Sequence, residues 1–380
     1  MTIHSFPIPS LKALRQALLG SVSSGDPWRG DARPERTVRF YSLGRWAMSA
    51  YVQSVLDKRG KRQGKVWCPD YFCNDALVPL RMMGIELTFY PVRKDLSPDW
   101  DRLESEIERS SPPDVLILVH YFGFPNAVDE ARTFCHTHDV ELMEDCAHML
   151  LPIDGCAEQH AAVFCPRKAL ALPEGALLTT PNNGANHQTD TEFGANRKLI
   201  LKWLLSRLAQ RAMLSMGLSW HRYRGITINS LHSDYCEPMD GQMERFQNRY
   251  SLRLLGAQEK YLGDVVGRRR ANYVRLMQAI EGIEGFRPLF SSFGDNVCPS
   301  VCPMLVSRER DTVLRQLNRL GVTAKNWPGL PPELSERRDR HEAAIWLQNH
   351  ILLLPLHQDL SRKQVEYMAS RLEHIRDGAR

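Results

Sequence analysis

Short apolar runs alternate with amphipathic segments through the first half of the chain. The strands predicted from these runs lie at residues 37–41, 66–69, 86–90 and 115–119. The last run, Val115-Leu-Ile-Leu-Val119, is apolar throughout, which is typical of a strand buried on both faces. The helices predicted around these strands lie at residues 11–19, 46–56, 70–84, 100–109 and 126–138. Because such alternation produces right-handed βαβ units, we predict an α/β fold with helices flanking a mostly parallel central sheet.

The second half of the chain has a different pattern. Residues 244–278 predict a long helix that is broken near Gly263. After Gly285 the predicted order is strand, helix, strand and helix, at residues 301–306, 311–320, 351–355 and 362–375. The pattern divides the chain into a large α/β domain, a long linking helix and a smaller C-terminal α+β domain, at residues 1–240, 241–284 and 285–380.

Residues 196–225 stand apart by their composition. They contain seven lysines and arginines, no acidic residue, and two tryptophans among leucines. A basic amphipathic helix of this kind can make a weak contact with an anionic membrane surface. It can equally cover the sheet or pack against a second subunit. No run of about 18 apolar residues is present, so we expect no membrane-spanning segment.

The composition excludes disordered and fibrous proteins. A hydrophobic share of 43% with 24% charged residues is typical of a globular chain with a buried core. The net charge of +5 would suit an acidic substrate and is too weak to indicate nucleic acid. The arginines at residues 268–270 have no aromatic residues among them, so we expect a solvated face there.

Cysteine usage predicts the compartment. Nine cysteines with no signal peptide ahead of them indicate free thiols in the cytoplasm. Cys298 and Cys302 form the one close pair with a spacing that could suggest a metal, but they lack a partner pair. We therefore predict no metal site.

Two further apolar runs each end in an ionisable residue. Asp145 follows the first and Lys168 the second, and a third run begins after Gly175. In open α/β sheets, ligands bind beyond the carboxyl ends of the strands. A carboxylate and an amine presented there suit pyridoxal phosphate (PLP), because the amine forms a Schiff base with its aldehyde and the acid keeps its pyridine nitrogen protonated. Singly, such residues are more often a turn aspartate and a surface lysine, so the prediction depends on the pair.

A turn and an aromatic residue extend this candidate site. Gly44 lies between a predicted strand and a helix, where backbone N–H groups favour an anion, and Arg45 could add a charge-assisted contact to a phosphate. The alternative is a plain tight turn with a surface arginine. Tyr71 is placed to stack on a flat cofactor ring, although aromatic residues in such positions are more often core.

Three motifs then suggest a family. They are Val119-His-Tyr-Phe-Gly-Phe-Pro125, Glu144-Asp-Cys-Ala-His148, and Phe164-Cys-Pro-Arg-Lys168 followed by Glu174-Gly175. With them the chain resembles, collinearly from about Tyr41 to its C-terminus, the DegT/DnrJ/EryC1/StrS family of PLP-dependent sugar aminotransferases. The resemblance implies the fold-type I PLP-transferase architecture.

The resemblance also implies roles for individual residues. Asp145 would pair with the pyridine nitrogen, His148 would lie against the ring or its O3′, and Lys168 would carry the cofactor. Gly44 and Arg45 match the helix N-terminus that receives the phosphate. Such proteins are typically dimers in which an asparagine reaches the neighbour's phosphate. Gln247 occupies that place here.

The chain departs from the family pattern in the phosphate region. A serine or threonine usually precedes the lysine, whereas here Val163 or, with a gap, Cys165 stands at that offset. The usual Gly-Gly after the lysine is Gly175-Ala176. These changes leave PLP binding expected and the substrate open.

The implied function is transfer of an amino group, from glutamate, to a keto-sugar linked to a nucleotide. The product would serve polysaccharide or secondary-metabolite biosynthesis. Two alternatives stay open. One is a PLP-dependent sugar dehydratase, against which Lys168 argues because such members tend to replace the lysine. The other is a non-catalytic PLP-fold binding or regulatory protein, which the departures at Val163 and Gln247 favour.

Overall fold

A seven-stranded sheet forms the centre of the described chain. The computed structural model describes residues 3, 4, 6–28, 36–153, 155, 156, 159–181, 197–216, 247–295 and 297–377. Its strands are β1 (Arg36–Tyr41), β2 (Lys65–Pro69), β3 (Glu86–Tyr90), β4 (Val115–Val119), β5 (Glu141–Cys146), β6 (Ala161–Phe164) and β7 (Ala176–Pro181). They are ordered β1-β7-β6-β5-β4-β2-β3. Strand β7 runs antiparallel to the other six strands, which are parallel to one another. The predicted α/β fold with a mostly parallel sheet is confirmed.

Helices connect these strands and continue beyond them. They are α1 (Leu11–Leu19), α2 (Gly44–Lys58), α3 (Val78–Met82), α4 (Trp100–Arg109), α5 (Val128–Thr137), α6 (Arg197–Ser215), α7 (Arg249–Glu259), α8 (Leu262–Ile280), α9 (Arg310–Arg319), α10 (Glu342–His350) and α11 (Arg362–Asp377). Helix α2 packs on β6 and β7, and α5 packs on β4 and β5. Every residue of β4 is buried, as its continuous apolar run predicts.

A smaller sheet follows in the C-terminal part of the chain. Its described strands, β8 (Phe286–Pro288), β9 (Cys302–Val306) and β10 (Ile351–Leu354), are antiparallel in the order β10-β9-β8. Strands β9 and β10 and helices α9 and α11 match the predicted α+β order. Strand β8 was not predicted, since its three residues are too few to show alternation. Helix α10 was not predicted either. The proposed domain boundaries stay predictions.

The helix predicted at residues 70–84 begins later than expected. A 3₁₀ turn, Asn74–Leu77, comes first, and α3 then starts with Pro79 in its first turn, where proline is favoured. Asp70 stays outside the helix because its carboxylate accepts a hydrogen bond from the Val92 N–H (3.0 Å) and contacts His341 Nδ1 (2.9 Å). A long-range contact therefore overrides the local pattern.

The long helix predicted at residues 244–278 is two helices in the structure. Helix α7 ends at Glu259 and α8 begins at Leu262, so the break lies just before Gly263. Residues 244–246 lie outside the described chain. Asn248 caps α7 by accepting a hydrogen bond from the Tyr250 N–H (3.0 Å), which explains why the helix starts there.

The expected solvated face of arginines on α8 is wrong for one of the three. Arg268 is exposed and Arg270 is half-buried, but Arg269 exposes only 1% of its surface. Each residue step along a helix rotates the side chain by about 100°, so the middle arginine can face inward while its neighbours do not.

Two findings bear on the remaining expectations. No helix in the part of the chain that the structure describes is long and apolar enough to cross a membrane. The eight cysteines in the described ranges have free thiols.

Candidate active site

A cavity lies beyond the carboxyl ends of β4, β5 and β6. Its volume is about 760 Å³ when the open space at its mouth is included. The strand register pairs Val119, Asp145 and Val163 side by side, and all three line the cavity. A flat apolar floor with one carboxylate is the result.

Asp145 supplies that carboxylate. Its Oδ1 accepts a hydrogen bond from the Ala147 N–H (2.9 Å), which fixes the side chain at the end of β5. Withdrawal from bulk water raises the pKa of the Asp145 carboxyl, and the positive charge of Lys168 opposes that shift. A carboxyl group in this position is ionised most readily when a cation lies beside it.

Lys168 enters the same cavity from the end of a 3₁₀ turn, Pro166–Lys168, that follows β6. Its Nζ lies 3.1 Å from Nε2 of His148. Burial, together with the charge of Lys168, lowers the pKa of the His148 imidazole well below its usual range. The imidazole is therefore neutral at physiological pH.

Phe122 holds His148 from the other side. The Phe122 backbone is left-handed (φ 59°, ψ 13°), which costs a bulky residue on the order of 1–3 kcal/mol. This conformation directs its N–H to Nδ1 of His148 (3.3 Å). Its ring stacks on the imidazole, with centroids 5.7 Å apart and planes 18° apart.

The N-terminus of α2 forms a second, more polar wall. The preceding Leu43 makes no capping hydrogen bond through its side chain, so this helix end favours an anion. Gly44 is required here, because a Cβ atom would lie 2.6 Å from Sγ of Cys165. The side chains of Arg45 and Arg167 line the same cavity.

Aromatic residues close the cavity, and Tyr71 is not among them. Tyr71 is fully buried and stacks on Trp327, with centroids 4.8 Å apart and planes 23° apart. Trp327 and Phe72 line the cavity. The Trp327 indole N–H is buried and has no hydrogen-bond partner within the described residues.

Gln247 also lies outside the cavity lining. It exposes 1% of its surface, and its Nε2 is 3.5 Å from the Glu174 carbonyl oxygen. The φ of Gly175 is 142°, and a Cβ there would lie 2.9 Å from Gln247 Nε2. Within one chain, Gln247 therefore supports the loop that leads into β7, and its contact with a neighbouring subunit stays a prediction.

A second cluster lies on the opposite face of β5. Nε2 of His120 is 3.0 Å from Oε2 of Glu144, and both side chains are fully buried. The Asn126 N–H donates to Nδ1 of His120 (3.0 Å), so the Nε2 proton of His120 points at the carboxylate. Ligand atoms of His120, Glu144 and Cys156 lie within 4.8 Å of one another. The absence of a metal site stays a prediction.

The structure brings most of the predicted site residues together. Gly44, Arg45, Asp145, His148 and Lys168 line one cavity. The aromatic pair Tyr71 and Phe72 was a candidate for stacking on a cofactor ring, and of the two only Phe72 lines the cavity. Sequence reasoning assigned no role to Phe122, Arg167 and Trp327. Only Arg167 carried a usable signal, since it directly precedes Lys168 in a tight turn. Trp327 reaches the site from a distant part of the chain, which no local pattern reports.

Comparisons with known proteins agree with this geometry. A profile of the DegT/DnrJ/EryC1/StrS aminotransferase family matches residues 79–373, which is more than half of the chain. No curated protein matches the sequence at a significant level.

Solved structures share the fold at low sequence identity. The aminotransferase TlmJ from Streptoalloteichus hindustanus is 18% identical, with a TM-score of 0.68 over 100% of this chain and 99% of that one. The PLP form of the putative sugar aminotransferase Spr1654 from Streptococcus pneumoniae is 14% identical, with a TM-score of 0.71 over 100% of both chains. Helicobacter pylori PseC, an aminotransferase involved in pseudoaminic acid biosynthesis, is 15% identical, with a TM-score of 0.69 over 99% of both chains. The fold is therefore the fold-type I architecture.

Proposed function

This chain belongs to the DegT/DnrJ/EryC1/StrS aminotransferase family, and we propose that it transfers an amino group from glutamate to a keto-sugar linked to a nucleotide. It is a PLP-dependent aminotransferase with a small-molecule amino donor and acceptor. The observation that carries the proposal is that Lys168, Asp145 and the uncapped N-terminus of α2 open onto one cavity.

The residues at one end of the cavity fit the ring of PLP. Asp145 has a raised carboxyl pKa, so a protonated pyridine nitrogen is the kind of partner that would favour its ionised form. Val119 and Val163 offer an apolar surface beside it. Trp327 also lines the cavity, and its indole N–H, buried without a hydrogen-bond partner within the described residues, supports a ligand that can accept a hydrogen bond.

Residues at the other end fit the phosphate. The hydroxyl that usually contacts it is missing, because Val163 and Cys165 stand at those positions in the cavity wall. Two guanidinium groups, of Arg45 and Arg167, and the N-terminus of α2 supply positive charge instead. We propose that these charges hold the phosphate.

Each residue then has a defined task. PLP, when bound, supplies an electron sink that stabilises negative charge at the donor carbon. With PLP bound, Nζ of Lys168 would act as general base and then general acid within each half-reaction: it would move the proton from the donor Cα to C4′ of the cofactor, and would make the reverse transfer with the acceptor. The negative carboxylate of Asp145 would keep a proton on the pyridine nitrogen of the cofactor. His148, which is neutral, would orient the lysine amine through the contact between its Nε2 and Nζ of Lys168.

The substrate class is inferred from charge and from relatives. Spr1654 is described as a putative sugar aminotransferase and PseC as acting in pseudoaminic acid biosynthesis, which supports a keto-sugar here. The net charge of +5 and the arginines at the cavity suit a diphosphate-bearing acceptor. We place the product in polysaccharide or secondary-metabolite biosynthesis. Retention of Lys168 and family membership favour transamination over the dehydratase and non-catalytic alternatives.

The test follows the visible absorbance band of the purified, PLP-loaded protein. Glutamate should remove the band, and a nucleotide-linked keto-sugar should restore it. Related keto-sugars without the nucleotide should restore it more slowly, because they lack the diphosphate charge. A band that no amino donor changes would contradict transamination.

We also propose that the protein is a homodimer. Support comes from the resemblance, in which an asparagine reaches the neighbour's phosphate, and from the position of Gln247 beside Gly175 near the lysine loop. Light scattering should give twice the mass of one 43.5 kDa chain. A monomer that turns over at the full rate would contradict a shared site.

Helix α6, within the basic segment at residues 196–225, supports a weak contact with an anionic membrane surface. Its outer face exposes Leu201, Leu205 and Leu208, and Lys198 and Lys202 are exposed beside them. The rest of the segment, residues 217–225, lies outside the described chain. Flotation with anionic but not neutral vesicles, lost in Leu205→Glu, would support this contact. Loss of the dimer in Leu205→Glu would instead assign the face to a second subunit.

A further inference from the structure

Arg269 on α8 is a buried cation whose partners are all neutral. Its guanidinium exposes 1% of its surface, and burial lowers its pKa. Nε donates to Oε1 of Gln358 (3.1 Å). The other donors reach carbonyl oxygens of Ala169 (2.8 Å), Pro299 (3.2 Å), Ser300 (2.9 Å) and Leu356 (2.8 Å). Among the described residues Asp359 is close enough to favour the charged form of Arg269, but no carboxylate is hydrogen-bonded to the guanidinium. Burial of a charge without a hydrogen-bonded counter-charge is costly, so we look for a role that an apolar side chain would not fill.

Two of these carbonyls lead to the active site. Ala169 directly follows Lys168, so the guanidinium fixes the backbone on which the reactive amine is carried. Ser300 donates its N–H to the carbonyl oxygen of Phe122 (2.8 Å). Arg269 therefore holds the lysine loop and the Phe122 turn at once.

The Phe122 turn closes the circuit back to the lysine. Its N–H reaches Nδ1 of His148 (3.3 Å), and Nε2 of His148 lies 3.1 Å from Nζ of Lys168. Hydrogen bonds thus join Arg269, Ser300, Phe122, His148 and Lys168 in a ring that Ala169 completes.

The ring has a chemical consequence at His148. A backbone N–H can only donate, so Nδ1 of His148 must accept, and the proton of the neutral imidazole lies on Nε2. That proton points at Nζ of Lys168, 3.1 Å away. Only a lone pair on the amine can accept such a hydrogen bond, and the same electron pair is the one that attacks a carbonyl carbon and takes up a proton.

We propose that Arg269 is a positioning residue: through the carbonyls of Ala169 and Ser300 it sets the Lys168 loop and the Phe122 turn in register, so that His148 presents its Nε2 proton to the lysine amine. This rests on the proposed role of Lys168. Arg269 itself contacts neither substrate nor cofactor in this scheme.

The first test is the tautomer of His148 in the full-length protein labelled with ¹⁵N-histidine. Comparison with His148→Gln identifies its signals among the 13 histidines. We expect an unprotonated Nδ1 and a protonated Nε2 in the wild type, and a mixture of tautomers in Arg269→Met. A protonated Nδ1 in the wild type, or an unchanged tautomer in Arg269→Met, would overturn the proposal.

The second test is the rate at which the visible band appears when PLP is added. Arg269→Met should slow this capture by about 10- to 100-fold, since a misplacement of about 1 Å has effects of that size. Arg269→Lys, which keeps a charge and can reach fewer oxygens, should fall between the two and serves if Arg269→Met does not fold. Equal rates in the wild type and in the folded variants would contradict the proposal.

Arg270→Met is the matched control. Arg270 lies on the same helix and also donates to two carbonyls, those of Gly294 and Val297 (both 2.7 Å), and neither of these carbonyls belongs to the lysine loop. It should leave both the tautomer and the capture rate unchanged. If the wild type captured no PLP at Lys168, the proposed function would fail, whereas the tautomer would still report on the ring of hydrogen bonds.

Discussion

Glu144 and Asp145 are adjacent carboxylates on β5 with opposite surroundings. Glu144 is fully buried and faces His120 at 3.0 Å, whose other ring nitrogen accepts from the Asn126 N–H. Asp145 lines an open cavity, and the one hydrogen bond described for its carboxylate comes from the Ala147 N–H. Because successive side chains of a strand point to opposite faces, one residue step separates the two environments.

This comparison distinguishes residues that stabilise the fold from residues that act on a ligand at this sheet edge. Removal of a buried carboxylate whose partner is built into the chain is expected to destabilise the fold. A carboxylate with a raised pKa at the floor of a cavity is poised for a partner that arrives with the ligand. Substitutions at the two faces should therefore have different readouts.

The largest effect is expected at the cavity face from Lys168→Ala. Removal of the amine takes away both the attachment point and the group that moves the proton, so turnover should fall by at least about 10⁴-fold. The melting temperature of the cofactor-free protein should hardly change, because Lys168 is only partly buried. Residual turnover near the wild-type rate would show that another lysine carries the cofactor.

Asp145→Asn should separate activity from stability. Loss of the charge opposite the ring nitrogen should lower kcat by roughly 10²–10³-fold. The raised carboxyl pKa means that the ionised group costs stability above its unfolded pKa of about 4, so asparagine should raise the melting temperature of the cofactor-free protein at pH 7. Calorimetry and steady-state kinetics on the same preparation check both parts. A variant that is less stable and fully active would contradict the assignment.

Glu144→Ala should give the reverse result on the other face. It leaves the Nε2 donor of His120 buried without its partner and also removes buried side-chain volume, which together should destabilise the protein by about 3–5 kcal/mol. Glu144→Gln keeps the shape and one acceptor oxygen, so its loss should be smaller, about 1–3 kcal/mol. Urea unfolding measures both, and turnover per folded molecule should stay within a few-fold of the wild type. A selective loss of kcat in stable protein would place Glu144 in the catalytic machinery.

The smallest effect is expected on the pH dependence of stability, at His357, a buried histidine whose ring nitrogens are also hydrogen-bonded within the chain. Burial lowers the pKa of His357 to about 3, and its Nε2 donates to the His4 carbonyl oxygen (3.0 Å). Below an unfolded pKa of about 6.5 the unfolded chain binds a proton that the folded chain does not, so stability should fall as the pH drops from about 6.5 towards 3. His357→Gln should reduce the slope of stability against pH in this window. An unchanged slope would mean that other groups control it.

The hydrophobic pattern predicted the sheet because strands such as β4 have a recognisable local signal, a continuous apolar run. The same pattern placed Asp145 and Lys168 at strand ends, and the structure puts both at one cavity. Helix α3 started later than predicted, since the contact of Asp70 with His341 is not local.

The second layer of the site was beyond local reasoning for a different physical cause. Charged side chains are usually solvated, so the arginines of α8 predict a surface. Arg269 is buried only because oxygen atoms from several distant segments converge on it. The left-handed turn at Phe122 likewise has no signal in a residue type that normally avoids that conformation.

The most direct test of the account is to locate the lysine that carries PLP. Borohydride reduction of the PLP-loaded protein fixes the cofactor to its lysine, and peptide mass spectrometry then identifies the residue. We predict a single labelled site, Lys168, with no label when the protein is first treated with glutamate. Label at another lysine, or none at all in untreated protein, would contradict the central claim.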